Sequence, residues 1–244
     1  MQRKSPLVVG EIYHIYNRGV EKRSIFSPLD TFDYQRFLLS LQIFNSQSSA
    51  EHSWYWDAQK HESEKSSEVR LPRMMSKQEP LVEILAFCLV ENHYHLLLRE
   101  INDNGITEFM RKLGTGYTNY FNTKYERVGP LFQGKFKSVL IERNEQLQYI
   151  PHYIHLNALD MLLPGWKEHI ADPKEAIQLV KNYPWSSASD LLNDKYAFPF
   201  LSRKIFEELF GTRREQERGL ADVFGGKASI NNFSFFQNPK EARV

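Results

Sequence analysis

The chain has 244 residues, 41% hydrophobic and 25% charged, with a net charge of only +1. That is material for one large domain or a core domain with an appendage, and it excludes a protein coated all over in basic side chains. No apolar run approaches the roughly eighteen residues that a membrane span needs, and Met1 to Pro6 leads into no secretory apolar region, so the expected address is cytoplasmic, with no membrane partner. The single cysteine, Cys88, excludes an intrachain disulfide and a thiolate metal site; inside an apolar run it reads as a core residue.

In chain order, residues 11–18 alternate Ile12, His14 and Tyr16 against Tyr13, Ile15 and Asn17, which predicts a strand ending at Gly19. A helix follows from about Asp30, its N-cap, with Tyr34, Phe37, Leu38, Leu41 and Phe44 at helical spacing. Residues 45–80 are rich in Ser, Glu, Lys and Gln and read as a long, partly flexible insertion. Val82 to Val90 and His93 to Arg99 are two strands close enough to pair as a hairpin through Glu91 and Asn92. Asp103 or Asn104 can cap a second helix with a stripe of Ile106, Phe109, Met110, Leu113, Tyr117, Tyr120 and Phe121. Gly114 and Gly116 interrupt it, at a cost in helix stability that close approach of another backbone would explain. Phe132 to Ile141 reads as a fourth strand and Asn144 to about Asp160 as a third helix, whose phase survives Pro151 beyond that residue. Strand, helix, strand, strand, helix, strand is the split β-α-β order of an α+β, ferredoxin-like fold. Its sheet is antiparallel with helices on one face, here with an extra helix able to cross to the strand holding the histidines.

The chemistry-bearing residues lie on these elements. His93 and His95 share one face of their strand, an arrangement that can hold a cation, although a half-buried structural pair would look the same. Tyr149, Tyr153 and Asn157 recur every four residues on the third helix, beside its apolar stripe, and a packing tyrosine with a capping amide is the competing reading. From Arg111 to Lys137 six basic residues (Arg111, Lys112, Lys124, Arg127, Lys135, Lys137) face one acid. Aromatic residues are interleaved with them, a mixture suited to phosphate contact and base stacking, and also to a solvated amphipathic helix. Gln133, Lys135 and Lys137 share a face of the predicted fourth strand, and Arg18, Lys22 and Arg23 form a second patch. His155 falls on a different helical face from Tyr153, and His14 reads as a packed strand histidine.

Five blocks in order, Tyr13 to Gly19 (Tyr-His-Ile-Tyr-Asn-Arg-Gly), Glu91 to Leu98 (Glu-Asn-His-Tyr-His-Leu-Leu-Leu), Gly129 to Ser138 (Gly-Pro-Leu-Phe-Gln-Gly-Lys-Phe-Lys-Ser), Tyr153 to Asn157 (Tyr-Ile-His-Leu-Asn) and Tyr183 to Ser187 (Tyr-Pro-Trp-Ser-Ser), resemble the single-tyrosine HUH transposases of bacterial insertion sequences, in particular their REP-associated tyrosine transposase branch. The resemblance implies an enzyme that nicks and rejoins single-stranded or hairpin DNA through a 5′-phosphotyrosine. Tyr153 would be the nucleophile, and His93, His95 and Asn157 would be ligands of a divalent metal, Mg2+ or Mn2+. Asn157 stands where other members use Gln, and Ala158-Leu159 where relatives commonly have Pro-Val. It implies a catalytic domain over residues 1–165 and a helical extension over 166–244, for which a DNA-binding accessory and a homodimer contact both fit. Localisation would be cytoplasmic, on the nucleoid when DNA is bound. A DNA-binding protein that has lost cleavage and a metal-dependent hydrolase of small phosphoesters are the alternatives.

Overall fold

The structure is a computed structural model that describes residues 7–224, apart from 48–78, 169, 171 and 194. Most of the expected insertion, and the Asn-rich tail, lie outside the described residues. Strands β1 (Ile12–Arg18), β2 (Val82–Val90), β3 (His93–Glu100) and β4 (Lys137–Leu140) form one sheet in the order β2-β3-β1-β4, every neighbouring pair antiparallel. Helices α1 (Phe32–Phe44) and α2 (Gly105–Lys124) complete the split β-α-β arrangement expected from the sequence.

Alternation decides which face each strand residue meets. Tyr94 of β3 packs against Phe37 of α1, ring centroids 5.0 Å apart, and against Phe132 at 5.8 Å, so the Tyr94 face lies under α1 and α2. Ile15, Leu96 and Leu98 are fully buried, each such side chain contributing roughly 1.5–3 kcal/mol by leaving water. The start of α1 is tied to the end of α2 by buried Asp33, whose carboxylate accepts from the Tyr120 hydroxyl at 2.8 Å and pairs with Lys124 at 2.6 Å. Gly116 is closely approached, not by another backbone as expected but by the Phe44 ring, which lies where a Cβ would stand. Gly114 faces open space.

Helix α3 (Asn144–Leu156) lies on the opposite face, the one that carries His93 and His95. It ends before Asp160, and the reason is Asn157. Its side-chain amide donates to the Tyr153 carbonyl at 2.7 Å while its backbone N–H turns to Ile154 at 3.3 Å, which tightens the last turn before the short α4 (Leu159–Leu162). The caps also differ in detail from expectation. Asp30 does accept from the Phe32 N–H at 2.9 Å, but Asn104 caps nothing with its side chain, and Glu100 takes the Ile106 N–H at 3.2 Å instead.

The fourth strand is shorter than predicted. Gln133 still donates its N–H to Arg18 O at 2.9 Å, but residues 134–136 leave the ladder because Gly134 adopts φ +128 and gives its carbonyl to the Asn17 side chain at 3.0 Å. Gln133 and Lys135 therefore do not share a strand face with Lys137, which alone of the three lies in β4.

Beyond α4 come α5 (Pro173–Asn182), α6 (Ala188–Leu191), α7 (Arg203–Phe210) and α8 (Arg213–Phe224), all within the extension expected to be helical. The block Tyr183 to Ser187 covers the outer edge of β2. The Leu89 N–H donates to Trp185 O at 2.9 Å, the Ser187 N–H to Phe87 O at 3.0 Å, and the Tyr183 hydroxyl to Leu89 O at 2.7 Å. An exposed edge strand would otherwise present unpaired backbone groups.

Helix α8 rests on α3 where Gly219 meets the ring of buried His152 at the spot a Cβ would occupy. Gly219→Ala is expected to cost about 1–3 kcal/mol by overpacking this contact. Gly114→Ala, with open space around it, is expected to gain up to about 1 kcal/mol through helix propensity. Thermal melts of the two variants should shift in opposite directions.

Candidate active site

The register of the sheet assembles the site. Arg18 lies opposite His93 and Tyr16 opposite His95, with Lys137 of β4 on the other side of Tyr16, so these side chains share the face toward α3. From α3, the Tyr153 ring stands edge-on to His95, centroids 5.7 Å apart, and to His14 at 5.5 Å. Tyr153 is only partly buried, which leaves the nucleophile candidate reachable from solvent. His93, His95, Tyr153 and Asn157 thus come together. His155 turns away, its Nε2 2.9 Å from Ser187 Oγ.

His93 Nδ1 is 2.7 Å from Asn92 Oδ1, and the Asn157 side chain, whose amide donates to Tyr153 O at 2.7 Å, favours the protonated form of the same ring. Among the described residues no group of three or more His, Cys, Asp or Glu side chains is placed to hold a metal. The side chains nearby that could hold one are the His93 and His95 imidazoles and the Asn157 amide, nitrogen and oxygen donors of the kind that a first-row or hard divalent ion takes.

Burial keeps these imidazoles neutral. It lowers His14 to about 3 and His93 to about 4, and holds His95 well below its ordinary value, with the neighbouring His93 and His14 adding to the effect. The Tyr153 phenol is pushed up, first by burial and then by Tyr16 and Asp160, with Arg18 opposing. Ionising that phenol requires compensating positive charge nearby. The linkage has a definite sign: an unfolded histidine takes up its proton near pH 6.5, whereas His14 and His93 do so only near 3–4, so stability is complete above about pH 6.5 and is lost as pH falls. For His14 alone, the loss at pH 4 is about 3 kcal/mol relative to neutral pH. Urea midpoints at pH 7 and pH 4 measure it.

The basic residues divide between the two faces. Arg18 and Lys137, both exposed, flank the histidine cluster. Arg111 and Lys135 line a groove of about 820 Å3 on the other face, between α2 and the loop 130–136, with Gly114, Thr115, Thr118 and Phe136. Gln133 is exposed on that loop. Lys112 is occupied, donating to Ser46 O at 2.7 Å and pairing with Glu108 at 3.1 Å. Lys22 and Arg23 fall in the turn after β1, Lys22 exposed and at φ 60. The sequence reading gave no site role to Asn92, Tyr16 or Asp160. The first adjoins the histidine block and the second shares the His14 face of β1, a signal that strand alternation carries. Asp160 follows the end of α3, and only the tertiary structure reveals its nearness.

Residues 63–157 match the model of the IS200-like transposases, and that stretch holds both histidines, Tyr153 and Asn157. The resemblance is borne out over that stretch, which holds three of the five blocks. Among solved structures, the chain is similar to a REP-associated tyrosine transposase bound to a REP hairpin, at 15% identity and a TM-score of 0.47, with 82% of this chain and 89% of that one covered. No curated protein matches the chain. No helix among the described residues is long and apolar enough to cross a membrane.

Proposed function

We propose that the protein is a transposase-like endonuclease and strand transferase for single-stranded DNA presented next to a hairpin. The observation that carries this reading is the convergence of the Tyr153 phenol with His93, His95 and Asn157 on one face of the sheet, flanked by Arg18 and Lys137. His93, His95 and Asn157 would hold Mg2+ or Mn2+, which when bound supplies Lewis acidity toward a phosphate oxygen. Arg18 and Lys137 bind the backbone phosphates and orient the scissile one. Tyr153 Oη attacks phosphorus and gives up its proton; the bond from phosphorus to the 3′ oxygen breaks, and that oxygen takes up a proton as a free 3′-hydroxyl. The phosphate remains on Tyr153 as a 5′-phosphotyrosine diester, whose bond energy serves the reverse attack by a 3′-hydroxyl in rejoining. The exposed Arg111, Gln133, Lys135 and Lys22, with the half-buried Arg23, extend the DNA contact away from the chemistry.

Incubation with labelled single strands carrying hairpins, in Mn2+, followed by a denaturing gel tests this reading. A DNA-linked protein band and a nicked strand are expected. DNA binding without either identifies a binding protein that has lost cleavage, and turnover of a nitrophenyl phosphate without salt-sensitive DNA binding identifies a small-phosphoester hydrolase.

A further inference from the structure

We propose that His14 is a positioning residue that sets the tautomer of His95 and thereby aims the His95 Nε2 lone pair at the cation seat. This rests on the reading of His93, His95 and Asn157 as that seat. His14 Nε2 lies 2.8 Å from His95 Nδ1, with both side chains buried and their rings at 14° to one another. The two residues belong to adjacent strands, β1 and β3, and the register sets them on a diagonal: Tyr16 stands opposite His95, and His14 is two residues along on the same face.

One proton occupies the gap between the two nitrogens, and its position matters. If it belongs to His14, His95 accepts at Nδ1 and carries its own proton at Nε2, so it has no lone pair left to offer. If it belongs to His95 Nδ1, His14 Nε2 accepts it and His95 Nε2 is bare. Only the second arrangement makes His95 a ligand. Ligand histidines are ordinarily held this way by a carboxylate or a carbonyl, and here the acceptor is another imidazole. The same His14 ring meets the Tyr153 ring edge-on at 5.5 Å, so the group that sets the ligand also abuts the phenol.

The test compares His14→Leu, which cannot accept the proton, with His14→Gln, whose Oε1 can. Mn2+ affinity is read by electron paramagnetic resonance on the DNA-free chain. His14→Leu is expected to bind Mn2+ about 10- to 100-fold more weakly, and His14→Gln within about 3-fold of the parent. If His95→Ala weakens Mn2+ binding while His14→Leu does not, the proposal is overturned and the seat stands. If His95→Ala itself leaves Mn2+ binding unchanged, the seat reading is the one that fails. Should the leucine variant not fold, the parent still decides: 15N spectra of labelled histidine in saturating Mg2+ are expected to place the His95 proton on Nδ1, and a proton on Nε2 overturns the proposal.

Discussion

Tyr153→Phe is expected to abolish the covalent protein-DNA band and to lower nicking by roughly 10^3-fold or more, because no other group in the cluster replaces the lost nucleophile. Tyr16 also carries a phenol near the histidines, but its ring is stacked on His14 and His95 rather than presented edge-on from α3. Affinity for DNA should change less than about 3-fold, since the substitution removes one hydroxyl and leaves Arg18 and Lys137 untouched. Gel-shift titration beside the denaturing gel separates the two quantities. Persistence of an adduct of unchanged yield in Tyr153→Phe would remove Tyr153 from the chemistry.

His93→Ala and His95→Ala are expected to reduce Mn2+-dependent nicking by about 10^2- to 10^4-fold, each taking away one of two imidazole donors. The two variants should differ in stability. His95 is buried against His14, so its loss opens space beneath the Tyr153 ring and leaves His14 Nε2 without this partner. His93 is more exposed and sits at the start of β3 with its Nδ1 on the neighbouring Asn92 side chain, so alanine there opens less buried space. His95→Ala is therefore expected to melt lower than His93→Ala, and a calorimetric comparison checks the order. Chelation with EDTA should reproduce the loss of nicking in the parent. Unchanged nicking in the presence of EDTA would contradict the metal reading.

The alternation of β1 and β3, the hairpin between β2 and β3 and the apolar stripe of α2 were legible because each is a local pattern with the period of its own element. The common face of His93 and His95 followed from the same alternation. The start of β4 and the end of α3 were not legible in this way. Gly134 breaks the ladder by giving its carbonyl to Asn17, and Asn157 tightens the helix by donating to Tyr153 O; each is a side-chain or backbone choice made against a competing pattern. The Tyr-Pro-Trp-Ser-Ser block was visible as a motif, but its role in sealing the edge of β2 depended on bringing together residues about a hundred positions apart.

By itself the sequence determined the order of elements and the antiparallel split β-α-β class, and it singled out the residues proposed to hold a cation and attack a phosphate. Only the tertiary structure decided that α3 lies on the histidine face and not beside α1 and α2, that the basic residues divide between two faces, and that His14 hydrogen-bonds His95. The physical reason is that periodicity assigns a side chain to a face of its own element, whereas which faces meet is set by the packing of whole elements and by strand register, to which residues distant in the chain contribute together.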